Sequence, residues 1–80
     1  MLRWTLGAFL ETEGISAYAL AQQLGGQTRQ RAIYAITAQE RQGEAAHTGL
    51  PLVSEIMRAL EVLTGRDIEV WELLEWVDVN

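Results

Sequence analysis

The chain has no cysteine, no lysine, one proline and one histidine, and no apolar run near the roughly 20 residues of a membrane span. Without cysteine there is no disulfide framework, no iron–sulfur cluster and no thiolate zinc site. A cytoplasmic location fits that usage. The first twenty residues carry Glu11 and Glu13 and lack a basic start followed by an apolar block, so no secretory signal is expected. His47 has no second histidine or cysteine to complete a metal site, and it reads as a solvated loop residue. No metal and no cofactor are expected. With 49% hydrophobic and 21% charged residues, the composition is that of a globular chain. Eighty residues make a single domain, residues 1–80, close to the lower size limit for an autonomous core. Oligomerisation therefore enters the expectations from the start.

The net charge of −5 runs against a nucleic-acid partner, since phosphate contacts need positive charge. Its distribution changes that reading. Residues 1–43 hold Arg3, Arg29, Arg31 and Arg41 against Glu11, Glu13 and Glu40, a net of +1. Residues 44–80 hold Arg58 and Arg66 against Glu44, Glu55, Glu61, Asp67, Glu69, Glu72, Glu75 and Asp78, a net of −6. Between Gly14 and Gln39 there is no acidic residue, and charge asymmetry of this kind is a better guide to partners than the total.

Apolar spacing predicts five short helices and no strand, hence an all-α domain. Leu2, Leu6, Phe9 and Leu10 form one stripe of a helix over 2–13, ended by Gly14, with Trp4 opposite the stripe. Ser16 caps a second helix over 16–24, which Gly25 and Gly26 stop. A third runs over 28–39 with Thr28 as its N-cap. Its first turn carries Arg29, Gln30 and Arg31, where the helix dipole favours acidic residues, so an external anion would resolve the conflict. A polar loop follows over 40–51. Pro51 suits the first turn of a fourth helix with the stripe Leu52, Ile56, Leu60 and Leu63, closed at Gly65. A fifth spans about 68–77: Val70, Leu73, Leu74 and Val77 face inward, and Glu69, Glu72 and Glu75 outward. Trp76 falls inside that acidic arc.

The segment over 16–38 carries the functional signal. Ala21 is the small residue that lets two helices cross closely, Gly25 makes the turn, and Ile33 is the branched residue that locks the second helix to the first. S16-A-Y-A-L-A21-Q-Q-L-G25-G-Q-T28-R-Q-R-A-I33-Y34-A-I36 resembles the helix-turn-helix of the Cro/lambda-repressor-like family, also called the xenobiotic-response-element family. The leading segment Leu2 to Leu10 and the ending from Leu52 to Trp76 look like that family's first and last two helices. The resemblance thus covers nearly the whole chain and implies a compact five-helix domain. Seven residues separate Gly25 from Ile33, two more than that family usually has. Gly25-Gly26-Gln27 is accordingly read as a lengthened turn.

The resemblance implies a role for each position. Gln30 and Arg31 fall where the family reads bases; glutamine pairs with adenine and arginine with guanine in the major groove. Ala35 falls at a further base-facing position, its methyl toward a thymine methyl. Thr28 and Arg29 are placed for phosphate, Tyr34 for sugar or phosphate, and Arg41 for the backbone beyond the helix. The expected function is sequence-specific binding of double-stranded DNA as a transcriptional regulator, a repressor acting as a homodimer in the cytoplasm on the nucleoid. Trp71 and Trp76, with Trp4, are the candidate dimer or partner surface, aromatic residues being common interface anchors. For Trp4 and Trp76 the alternative is packing within the same domain. The alternative function is a protein-interaction module or antitoxin that uses the acidic, tryptophan-bearing C-terminal helix. No nucleophile–base pair or phosphate-binding glycine loop points to an enzyme.

Overall fold

The two ends of the chain meet. In the computed structural model, which describes residues 1–78, Leu2–Trp4 form a strand, β1, antiparallel to a second strand, β2 (Leu74–Trp76). Between them lie four helices: α1 (Leu6–Glu13), α2 (Ala17–Leu24), α3 (Gln27–Arg41) and α4 (Leu50–Thr64). A short 3₁₀ turn (Val70–Glu72) leads into β2. The domain is therefore mostly helical with a small sheet, four helices rather than the five expected, and it is not all-α.

Both corrections have one cause. Leu2 fits a helical stripe extending to Leu6 with Trp4 opposite it, but Leu2 and Trp4 also alternate about Arg3 with the period of a strand. The register Leu2↔Trp76, Arg3↔Glu75, Trp4↔Leu74 decides in favour of the strand. As a strand residue Trp4 enters the core and is 1% exposed. It is thus removed from the candidate interface, while the expectation that it packs beneath a neighbouring element holds. The predicted fifth helix over 68–77 dissolves for the same reason. Trp76, anomalous on an acidic helical arc, alternates with Glu75 in a strand and shares a face with Leu74 and Leu2.

The pairing extends past the strand ends. Met1 and Val77 exchange main-chain hydrogen bonds of 2.6 and 2.8 Å, and the Thr5 N–H donates to Leu73 O at 2.7 Å. On its other side β1 bridges at Arg3 to Ala45, and the Ala46 N–H donates to Leu2 O at 2.9 Å. β1 is hence covered on both sides and β2 on one.

The core gathers Trp4, Leu6, Leu20, Ile33, Ile56, Leu60 and Leu73 from β1, all four helices and the segment before β2. α1 has no side-chain cap at Thr5. The Glu40 carboxylate, from the last turn of α3, does that work: it accepts from the N–H of Gly7 at 2.6 Å and of Ala8 at 3.1 Å. A hydrogen bond to a charged group contributes on the order of 1–2 kcal/mol when partly exposed. Gly7 permits the approach, since a Cβ there would lie 3.1 Å from Glu40 Oε1. This contact fixes α3 against α1.

Arg66 ties the end of α1 to the 3₁₀ turn by pairing with Glu13 and, at 2.9 Å, with Glu72. Its guanidinium lies over the Phe9 ring, 5.6 Å from the centroid. The bonds to Glu13 and then Glu72 hold its pKa above the ordinary arginine value. Glu72 in turn accepts from the Glu69 N–H at 2.8 Å, closing a capping box. That bond first, and Arg66 second, lower the Glu72 carboxyl below its usual value. Stability from a lowered carboxyl is complete above its unfolded pKa and fades as pH falls through the folded one. Urea unfolding should show Glu72→Gln less stable than wild type at neutral pH. The gap should narrow as pH falls through the lowered folded pKa and close once the wild-type carboxyl is protonated as well.

Candidate nucleic-acid interface

The helix-turn-helix segment forms two crossing helices, and its local chemistry explains why. The Ser16 hydroxyl accepts from the Ala19 N–H at 3.0 Å, capping α2 as expected. At the far end, the Gly26 N–H donates to Ala21 O at 2.9 Å and the Gly25 N–H to Gln22 O at 3.3 Å. This is the paired C-terminal closure that needs a left-handed residue after the helix. Gly25 (φ 126°) and Gly26 (φ 101°) both lie at positive φ, where a side chain is strained even with open space around it.

The turn is shorter than expected. Gly26 is itself the N-cap of α3, its carbonyl accepting from the N–H groups of Arg29 at 3.0 Å and Gln30 at 3.2 Å. α3 therefore starts at Gln27, and Thr28 is not the N-cap. The glycine pair reverses the chain in two residues, and Gln27 joins the helix. Ala21 and Ile33 are fully buried, as the crossing requires.

Burial of Ile33 and Ile36 turns the opposite face of α3 to solvent. Thr28, Arg31 and Ala35, at i, i+3 and i+7, share that face with Gln27 and Tyr34. Gln27, Thr28, Gln30, Arg31 and Tyr34 line a shallow concavity of about 680 Å³ with no acidic residue on its wall. Four of the expected contact residues are thus brought together: Thr28, Gln30, Arg31 and Tyr34. Gln27, placed in the turn by the sequence pattern, joins them as the first residue of α3.

The remaining positions are placed differently. Arg29 leans toward α4 and pairs through Nη2 with both oxygens of Glu55, at 3.2 and 3.1 Å. At exposures of 38% and 47% this is a surface pair of modest strength. The Gln30 Nε2 donates to the Tyr34 hydroxyl at 3.2 Å, which orients its amide along the helix. Arg31 is exposed and, among the described residues, joins no ion pair. Ala35 is exposed just beyond the concavity. Arg41 lines a second groove together with Glu11 and Glu40 and, among the described residues, pairs with neither.

The acid-free stretch of sequence is therefore not an acid-free surface at either end. Glu55 reaches the start of α3, and Glu11 and Glu40 flank its finish. The approaches of Glu55 and Glu11 are tertiary, and no local pattern announces them, whereas Glu40 belongs to α3 itself. Of the tryptophans expected at an interface, Trp71 and Trp76 are 71% and 70% exposed. No helix among the described residues is long and apolar enough to cross a membrane. No family model, no curated protein and no solved structure matches the chain.

Proposed function

We propose that the chain binds double-stranded DNA in a sequence-specific manner as a transcriptional regulator, a repressor on the nucleoid, with the outer face of α3 in the major groove. The observation that carries this reading is the acid-free concavity on α3 that collects Gln27, Thr28, Gln30, Arg31 and Tyr34. Among the described residues, the Arg31 guanidinium there has no ion-pair partner. A bare guanidinium two residues before a locking isoleucine suits bidentate contact with guanine. The amide of Gln30 reaches adenine once its bond to Tyr34 opens. The exposed methyl of Ala35 suits a thymine methyl, and Thr28 and Tyr34 suit phosphate and sugar. Arg29 is a reserve phosphate contact restrained by Glu55, and Arg41 is the weakest of the set. A palindromic site would take two copies, one α3 for each half-site.

The test is binding to a random-sequence duplex pool across a salt series, followed by fluorescence anisotropy. Binding at low salt should weaken as salt rises, with a shallow slope suited to few phosphate contacts. No binding at low salt overturns the proposal. Glu55→Gln should strengthen binding by about two- to fivefold on any sequence, since it frees Arg29 and removes a negative charge beside the duplex. A comparison of wild type and variant on the same pool checks this.

A second reading, a protein-interaction module, is favoured by one observation: Trp71 and Trp76 are exposed in the most acidic part of the chain. The surface involved is a 3₁₀ turn and a strand, not the helix expected there.

A further inference from the structure

We infer that the open edge of β2 docks an extended basic segment of another protein, which adds to the sheet as a further strand. This inference is independent of the DNA reading. It starts from the hydrogen-bond alternation of an antiparallel ladder. Met1 bonds with Val77 and Thr5 with Leu73, so the intervening bonded pair is Arg3 with Glu75. The N–H and C=O groups of Leu74 and Trp76 then point away from β1. Among the described residues no other main-chain group meets them. β1 has Ala45 and Ala46 on its far side, so β2 is the edge that stays open.

The side chains say what this edge accepts. Leu74, Trp76 and the cross-strand Leu2 lie on one face, with Leu2 48% and Trp76 70% exposed. An incoming strand finds apolar contact there. Glu75 lies on the other face. It stands across from Arg3 but, among the described residues, forms no ion pair with it. If Leu74 and Trp76 make the new main-chain bonds, the partner residue opposite Glu75 sits in the closely spaced, non-bonded position of the new pair.

A second copy of the chain is a poor occupant. A two-fold axis at the centre of β2 sets Glu75 against Glu75 at the closest spacing, and it joins two segments that each belong to a −6 half. A charged residue in a short edge strand is a known block on self-pairing. The same carboxylate favours a strand with arginine or lysine at that position and apolar residues beside it. Strand addition of this kind draws affinity from the main chain and specificity from alternate side chains.

The experiment uses the full chain, ¹⁵N-labelled, titrated with synthetic heptapeptides of alternating valine and threonine. One has arginine at its centre, one glutamate, and a third repeats the arginine peptide with its central main-chain N–H groups methylated. The arginine peptide should shift the amides of Leu74 and Trp76 and saturate. The glutamate peptide should bind about tenfold more weakly or worse. The methylated peptide should not bind. Glu75→Arg should reverse the order of the first two peptides, and the milder Glu75→Gln should erase their difference while keeping the binding. Three results overturn the inference. They are equal affinity of wild type for both charged peptides, no shift at Leu74 and Trp76 with any peptide, and concentration-dependent shifts there without peptide, which would make a second copy the occupant.

Discussion

Trp4→Ala should cost about 3–5 kcal/mol of folding stability, the usual range for truncating a buried aromatic side chain. Small domains hold only about 5–15 kcal/mol in total, and this one stands near the lower size limit. The variant should therefore be largely or wholly unfolded in urea concentrations that leave wild type intact. Trp4 is 1% exposed, and it anchors β1 to a core that also holds Leu6 and Leu73. Removing it empties the junction where both chain ends meet the helices. Trp4→Phe should recover most of that loss, because the Trp4 Nε1 is buried without a hydrogen-bond partner and its removal strands no acceptor. A different pattern would mark an interface residue: unchanged unfolding of the monomer and a lower sedimentation mass. Equilibrium urea unfolding followed by circular dichroism distinguishes the two.

Arg31→Ala should weaken binding to a preferred duplex by about 1–3 kcal/mol, roughly five- to 150-fold, and should flatten the preference at one base pair. Its stability should stay within about 0.5 kcal/mol of wild type, since an exposed, unpaired side chain supports nothing in the fold. Arg29→Ala makes the contrast. Its guanidinium is already engaged by Glu55, so its loss should weaken binding slightly and equally on all sequences. Selection of preferred duplexes from a random pool, repeated with each variant, reads both effects. Equal loss for Arg29→Ala and Arg31→Ala, without change in preference, would mean that α3 meets only the phosphate backbone.

The two arginines separate what the sequence discloses from what it conceals. Features set by near neighbours were legible. Ser16 caps α2, Gly14 and Gly65 end α1 and α4 in left-handed conformations, and Pro51 opens α4. Ala21, Gly25 and Ile33 stand where the helix crossing needs them. Features set by distant partners were not. Leu2–Trp4 becomes a strand because Leu74–Trp76 lies beside it, and the apolar spacing of either segment suits a helix nearly as well. Glu40 reads as one charge in a polar tail, yet it holds the first amides of α1. Glu55 reads as the polar face of α4, yet it restrains Arg29. The helix-turn-helix residues were readable from spacing because a helix repeats every few residues. The electrostatics around them depend on which helix lies alongside.

The charge balance follows the same division. The −5 total concealed a basic α3, and that basic stretch concealed the carboxylates which approach it from α4 and α1. What remains free of acid is a short patch around Arg31. Such a patch suits contact with a few base pairs and a shallow dependence on salt.

The most direct measurement is a titration of the ¹⁵N-labelled chain with a duplex selected from a random pool at low salt, read residue by residue from amide shifts. The account predicts the largest shifts from Gly26 to Ala35, centred on Arg31, and little change at Leu74 and Trp76. Shifts confined to the 3₁₀ turn and β2, or no shift with any duplex, would contradict it.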